Sequence, residues 1–157
     1  MRHICFLLVL AMAFTPLLAA AQPTTPDTIE QYLKKLHLQY KRGQSGEFEF
    51  STGFPDARAE KFLVRALPEV KVVYIAILDV AKLPAEAARQ AAAYRAIAEL
   101  NYRLLIGKVE VEPDTNSVRL SFSFANENGV DFATFQAVVQ SLLASVDKVR
   151  EGLRNAR

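Results

Sequence analysis

Residues 117–150 read SVRLSFSFANENGVDFATFQAVVQSLLASVDKVR and decide the fold. In residues 117–124 every second residue is apolar, which is the period of a strand with one buried face. From Phe132 onward the apolar residues recur at steps of three and four, which is typical of an amphipathic helix. Asp131 is the predicted N-cap of this helix, with Val130 and Phe135 placed for a hydrophobic staple.

Upstream, the same strand is predicted to pair with a second one in a hairpin. Val109 and Val111 alternate with charged neighbours, and residues 113–116 (PDTN) form the turn. Residues 84–102 precede the hairpin as an Ala-rich helix with Pro84 in its first turn. Small side chains let another backbone approach closely. We therefore predict a self-association face at four alanines: Ala87, Ala88, Ala91 and Ala92.

The residue pattern in the first half of the domain predicts one helix followed by two or three strands. Asp27 is the expected N-cap of a short helix over residues 28–37. Residues 48–51 alternate as a half-exposed strand, while residues 56–69 fit either a short strand or helical turns. Residues 70–80 (VKVVYIAILDV) are rich in Val and Ile and predict a central strand covered on both faces.

The first 21 residues are predicted to be a signal peptide that is cleaved after Ala21. Arg2 gives a positive start, residues 4–18 are almost wholly apolar, and residues 19–21 (AAA) offer a cleavage site. A retained membrane anchor is the alternative, because this apolar run is close to the ~18-residue lower limit for a spanning helix. Cleavage implies a periplasmic or secreted bacterial protein with no stable membrane insertion.

Removal of this leader changes the composition. Loss of Arg2 reduces the formal net charge from +2 to +1, so no basic block is available for nucleic acid. The one cysteine, Cys5, lies in the leader, so the mature chain has neither a disulfide nor a reactive thiolate. The rest of the chain divides into a linker, residues 22–26, and a single domain, residues 27–153.

The predicted element order is α-β-β-(β)-α-β-β-α. This pattern indicates the α+β class, with an antiparallel sheet packed by helices. The segment around the hairpin carries a family resemblance, which rests on a helix ending in Leu-Asn, a Gly-led strand, an acidic turn and a second apolar strand: Glu99-Leu100-Asn101, Leu104, Ile106, Gly107-Lys108-Val109-Glu110-Val111, Pro113-Asp114-Thr115 and Val118-Arg119-Leu120.

With these features the chain resembles the YbjN-like family of bacterial sensory-transduction regulators. The likeness covers roughly residues 27–150 and is strongest over residues 94–149. The resemblance implies the fold of type III secretion chaperones, an α+β sandwich that often dimerises. Two differences stand out. The turn carries Thr115-Asn116 where glycine is usual, and this chain has a predicted leader whereas secretion chaperones work in the cytoplasm.

Catalytic motifs are absent from the sequence. The mature chain has one histidine, His37, and contains no G-x-S-x-G, H-E-x-x-H or Gly-rich phosphate loop. Glu110 and Glu112 point to the same strand face and could form a carboxylate pair for hydrolysis, although a solvated strand face is the preferred explanation. Adding Asp114 gives too few oxygens for Ca²⁺. We expect no enzyme activity, no cofactor and no metal.

The sequence therefore predicts an exported, non-enzymatic domain that binds another polypeptide. Its role would be that of a regulator or a chaperone-like protein with an unknown client, and a homodimer is compatible with its Ala-rich helix. The residues predicted to contact the client point outward from the last strand: Arg119, Ser121 and Ser123. The alternative is a small-ligand sensor with a pocket between the last helix and the sheet, near Phe122, Phe135 and Val139.

Overall fold

The computed structural model describes residues 22–55 and 57–156. The predicted leader, residues 1–21, lies outside the described residues. Three helices are present in the described chain: α1 (Pro26–Lys35), α2 (Ala87–Arg103) and α3 (Phe132–Asn155). Six strands accompany them: β1 (Tyr40–Arg42), β2 (Phe48–Thr52), β3 (Glu60–Leu67), β4 (Val72–Lys82), β5 (Lys108–Glu112) and β6 (Ser117–Ala125). A short 3₁₀ turn, Pro68–Val70, joins β3 to β4.

The six strands form one antiparallel sheet in the order β1-β2-β3-β4-β6-β5. α3 packs on the central strands β4 and β6, α1 packs on β3, and α2 packs on α3 and β5. The α+β class and the helix-covered antiparallel sheet are thus confirmed. We call the covered side the helix face and the other side the open face.

The core lies between the helix face and α3. Alternate residues of the strands are fully buried there and meet the apolar stripe of α3. The largest of these side chains are Phe48, Phe62, Ile75, Ile77, Leu120, Phe135 and Leu142. Gly152 lets α2 approach α3 closely, because a Cβ at this position would lie 3.1 Å from two carbons of Leu100.

Four strands, not two or three, precede α2. β1 was missed because it has three residues, none of them buried, and so shows no apolar alternation. The ambiguous region, residues 56–69, contains β3, in which Glu60, Phe62 and Val64 alternate with more exposed neighbours. Because Glu60, the first inward-facing residue of β3, is charged, the apolar alternation that would predict a strand is interrupted.

β4 is the central strand, but the prediction that both of its faces are covered is wrong. Val73, Ile75 and Ile77 are buried against the helices, whereas Tyr74 and Leu78 are only half-buried on the open face. The sequence shows an unbroken apolar run because the open face also carries apolar side chains at this strand.

The helix ends differ from the predictions in three places. α1 begins after Thr25, whose hydroxyl accepts a hydrogen bond from the Thr28 N–H at 3.2 Å, so Asp27 is not the N-cap. α2 begins at Ala87, three residues after Pro84. Asp131 is confirmed as the N-cap of α3 and accepts from the Thr134 N–H at 2.8 Å, but α3 continues to Asn155.

The residues before α1 pack on the domain. The Asn126 side chain pairs with the backbone of Thr24, accepting from its N–H at 2.7 Å and donating to its carbonyl at 2.9 Å. The Thr24 hydroxyl accepts from the Val130 N–H at 2.7 Å. The Thr24 hydroxyl also donates to the Val130 carbonyl at 3.5 Å, so four hydrogen bonds hold the segment predicted as a linker to the loop that precedes α3.

Candidate functional site

The open face is the side of the sheet that none of the helices in residues 22–55 and 57–156 covers. Its middle is apolar, with half-buried Leu63, Val72, Tyr74 and Leu78 around the buried Ala76. Charged residues of β2, β3, β5 and β6 surround this row. The face therefore offers an apolar strip with a polar margin, which is a typical arrangement for a protein-binding surface.

Tyr74 connects three strands across this face. Its hydroxyl donates to Glu110 Oε2 at 2.8 Å, so the side chain extends from β4 over β6 to β5. Ser121, which lies on β6 between these strands, is 0% exposed, and its hydroxyl has no hydrogen-bond partner among the described residues. The hydrogen bond between Tyr74 and Glu110 thus lies beside Ser121, at a part of the open face that solvent does not reach.

Both ends of this bridge have shifted pKa values. Burial, followed by the hydrogen bond to Glu110, raises the pKa of Tyr74 to about 12. Burial acts to raise the pKa of Glu110, but the hydrogen bonds from Lys108 and Tyr74 outweigh it and leave the pKa below its ordinary value. At neutral pH the bridge consists of a neutral phenol and an ionised carboxylate.

Ion pairs within β5 and between β5 and β6 occupy the carboxylates that the sequence suggested for hydrolysis. Glu110 lies 2.7 Å from Lys108 Nζ and 3.4 Å from Arg119 Nε. Glu112 lies 3.2 Å from Arg119 Nη2. A general acid needs a raised pKa, and Glu110 has a lowered one. The geometry gives the hydrolase hypothesis no support.

The three residues predicted to contact a client all belong to the open face but differ in access. Arg119 is partly exposed and paired with Glu110 and Glu112, Ser121 is buried, and Ser123 is exposed. Tyr74 and Leu63 contribute more apolar surface. The sequence did not identify Tyr74 because residues 70–80 were interpreted as covered on both faces, and it did not identify Leu63 because residues 56–69 fitted either a strand or helical turns.

The four alanines predicted for self-association are all exposed on α2. Ala87 and Ala91 share one helix face with an exposed apolar series at steps of three and four: Tyr94, Ala98 and Tyr102. Ala88 and Ala92 lie on the adjacent face, beside Arg95 and Glu99. Tyr102 is 91% exposed and Leu105, just after α2, is 101% exposed. The apolar face of α2 is therefore larger than the sequence predicted.

The three residues of the predicted sensor pocket lie in different surroundings in the described part of the chain. Phe135 is buried and contacts Tyr32 in a tilted arrangement with the ring centroids 5.5 Å apart, while Phe122 contacts Phe124 edge-on. Val139 lines a small cleft of about 160 Å³ beside α1. A larger cleft of about 320 Å³ lies at the other end of α3.

The two edge strands of the sheet, β5 and β1, differ in what limits their pairing with a further strand. On β5 the Asn101 side chain accepts from the Val109 N–H at 2.6 Å and donates to the Val109 carbonyl at 3.1 Å. An amide from α2 thus occupies backbone groups that a further strand would use. On the opposite edge, β1 is short and carries the exposed Lys41 and Arg42. Sequence reasoning noted Asn101 without recognising this contact.

In the part of the chain that the structure describes, no three His, Cys, Asp or Glu side chains are grouped so as to hold a metal ion. None of the helices described there combines the length and apolarity of a membrane span. His37 follows α1 in the left-handed conformation and is exposed.

The chain is similar in sequence to a known protein family. Residues 25–155 match the family model YbjN, described as "Putative bacterial sensory transduction regulator". The chain belongs to the YbjN family. The resemblance predicted from the hairpin is therefore confirmed, and the match extends over the whole of α1 and α3.

Two solved structures are similar to this YbjN-family chain. One is described as "Structure of the HopA1-SchA Chaperone-Effector Complex", with a TM-score of 0.54 and 11% identity over 77% of this chain and 88% of that chain. The other is an uncharacterized protein from Methanothermobacter thermautotrophicus, with a TM-score of 0.52 and 9% identity over 82% of this chain and 96% of that chain. At these identities the likeness concerns the fold. No curated protein matches the sequence.

Proposed function

We propose that this YbjN-family chain is an exported, non-enzymatic domain that binds another polypeptide on the open face of its sheet. The observation that carries the proposal is the half-buried apolar row of Leu63, Val72, Tyr74 and Leu78, over which none of the three described helices packs. The family's description as a regulator and the similarity to a chaperone–effector structure both support a role in protein binding.

The apolar row would supply the affinity, and the surrounding charges would supply the orientation. Burial of apolar surface contributes roughly 25 cal/mol per Å², so covering the half-exposed leucines and the Tyr74 ring would favour a complex. Arg65 lies opposite Tyr74 in the register and is exposed, with no ion pair among the described residues. It is therefore free to meet an acidic group on the client.

A charge introduced at Ser123 tests this surface. We expect Ser123→Glu to abolish capture of the client in a crosslinking pull-down from envelope extract, while Gln140→Glu, on the exposed side of α3, leaves it intact. Arg119→Glu is less selective because it would also break the pairs with Glu110 and Glu112. Equal capture by both single variants would remove the open face from the proposal.

Export is part of the same proposal and has its own test. The apolar run of residues 4–18 and the Ala-Ala-Ala segment before Gln22 support cleavage by a signal peptidase. Intact mass and N-terminal sequencing of protein from the periplasmic fraction should show Gln22 as the first residue. A protein that keeps residues 1–21 and stays with the membrane fraction would support the anchor alternative.

We also propose that two copies pair through the exposed apolar face of α2. Ala87, Ala91 and Ala98 permit close approach, and Tyr94 and Tyr102 add apolar area that is exposed in one chain. Light scattering at high protein concentration should give a dimer for the native chain and a monomer for Ala91→Arg. Ala144→Arg, at an exposed alanine of α3, should remain dimeric. A native chain that is strictly monomeric contradicts this part.

A further inference from the structure

The cleft of about 320 Å³ lies where the end of β4, the start of α2 and the end of α3 meet. A bulge in β4 creates part of its wall. Ile77 and Ala81 are four positions apart, whereas their partners on β6, Leu120 and Val118, are only two positions apart. Asp79 within this bulge has a φ of 53°. As a result Val80 and Ala81, although consecutive, both line the cleft.

The floor of the cleft is apolar and fixed. Val80, Leu83, Ala93 and Leu153 line it, and each is at most 8% exposed. Arg150 lines the cleft above this floor, and its side chain is held in place because its Nε donates to the Val80 carbonyl at 3.1 Å. An apolar group entering the cleft would meet a surface that is already formed.

The rim of the cleft is mainly cationic. It includes Lys82, Arg89, Arg150 and Arg154, with Asp147 as its acidic member. Glu60 balances Arg150, and Glu86 lies 3.1 Å from Arg89. Lys82 and Arg154 form no ion pair with any residue that the structure describes. Two cations thus remain available above an apolar floor.

We infer that this cleft binds a small amphipathic anion, a carboxylate with a short aliphatic tail, whose head group pairs with Lys82 and Arg154 while its tail lies on Leu83 and Leu153. The volume is at the low end of small-molecule pockets, which favours a compact ligand over a polypeptide segment. The inference concerns a different surface from the open face and moves the predicted ligand site from Phe122, Phe135 and Val139 to the other end of α3.

Sodium octanoate is a suitable probe, with acetate as the ligand that lacks the tail and octyl glucoside as the ligand that lacks the charge. Methyl NMR of the purified protein should show saturable shifts at Leu83 and Leu153 with octanoate and none with the other two. Leu36, Leu38 and Leu143 line the small cleft and serve as internal controls. No saturable shift, or shifts centred on those three leucines, overturns the inference.

Charge reversal supplies the second measurement. The double variant Lys82→Glu with Arg154→Glu should weaken octanoate binding about tenfold, since two favourable charge contacts become repulsive. The matched variant Lys41→Glu with Lys148→Glu changes the net charge equally at exposed positions outside the cleft and should bind as the native chain does. Equal affinity of the two double variants, or equal binding of octyl glucoside, overturns the inference. Client capture by both variants is measured separately and should not change.

Discussion

Arg150 on α3 and Glu60 at the start of β3 form a bidentate ion pair, with both nitrogen–oxygen distances at 2.8 Å. Glu60 is 6% exposed, so its carboxylate depends on this partner. The hydrogen bond with Glu60 raises the pKa of Arg150 above its ordinary value. Because Arg150 also donates to the Val80 carbonyl, one side chain connects the end of α3 to two strands.

Replacing Arg150 with Met should leave the Glu60 carboxylate buried without a partner. We expect a loss of about 3 kcal/mol in the free energy of unfolding, measured by urea denaturation. The double variant with Glu60→Met removes the orphaned charge and should recover most of this loss. Arg154→Met is the control for an exposed arginine of the same helix. A double variant that is no more stable than Arg150→Met would contradict the explanation.

Asn101→Ala should expose the outer edge of β5. The loss of two hydrogen bonds to the Val109 backbone should cost about 1 kcal/mol and allow strands of other chains to pair there. Thermal unfolding and light scattering would show a lower midpoint and concentration-dependent aggregation. Asn128→Ala, in an exposed loop, should behave as the native chain does. Unchanged solubility of the Asn101 variant would argue against edge protection.

Tyr74→Phe should remove the latest step of the tyrosine titration. The unfolded chain loses this proton near pH 10.0 and the folded chain at about pH 12, so between these values the unfolded state binds fewer protons. The contribution of Tyr74 to stability is therefore complete below pH 10 and decreases as the pH rises to about 12. The difference between the absorbance titrations of native and variant chains should have its midpoint at about pH 12. Tyr102→Phe removes an exposed hydroxyl and should leave that late step in place.

Gly129→Ala should displace the segment before α1. Gly129 has a φ of 74°, and a Cβ there would lie 2.4 Å from the Gln22 carbonyl oxygen. Limited proteolysis should then cut residues 22–26 faster than in the native chain. Gly46→Ala is a matched control with a φ of 79°, but its Cβ would lie 3.5 Å from Pro26. It should cost a similar backbone strain without releasing the segment, so equal proteolysis of the two variants would disprove the contact.

Several elements could be predicted because their signals are local. The alternation of Val118 and Leu120, the stripe of α3 and its Asp131 cap depend on neighbours within a few residues along the chain. The family resemblance rested on residues 99–120, which also follow one another closely along the chain. β1 and the start of α2 could not be placed, because Tyr40–Arg42 has no apolar period and Pro84 lies outside the helix that it precedes.

The candidate surfaces depended on which side of the sheet each side chain occupies. Ser121 looked outward and is buried, whereas Tyr74 looked buried and lies on the open face. The sequence pattern cannot show which of these two side chains is buried, since their burial follows from contacts between β4, β5 and β6. Arg150 and Glu60 are 90 residues apart, and each alone reads as an ordinary surface charge.

The sequence by itself determined the α+β class and the amphipathic nature of α3, because repeated apolar spacing dictates which faces must be buried. The resemblance to the YbjN family came from the particular residues of segment 99–120 and not from that spacing. Only the tertiary structure decided that all three helices pack on one face of the sheet, and that the bulge at Asp79 opens a cleft beside Arg150. The apolar periodicity of the sequence indicates that one face of an element is buried. Which element covers that face depends on strand order and on contacts between residues distant in the chain.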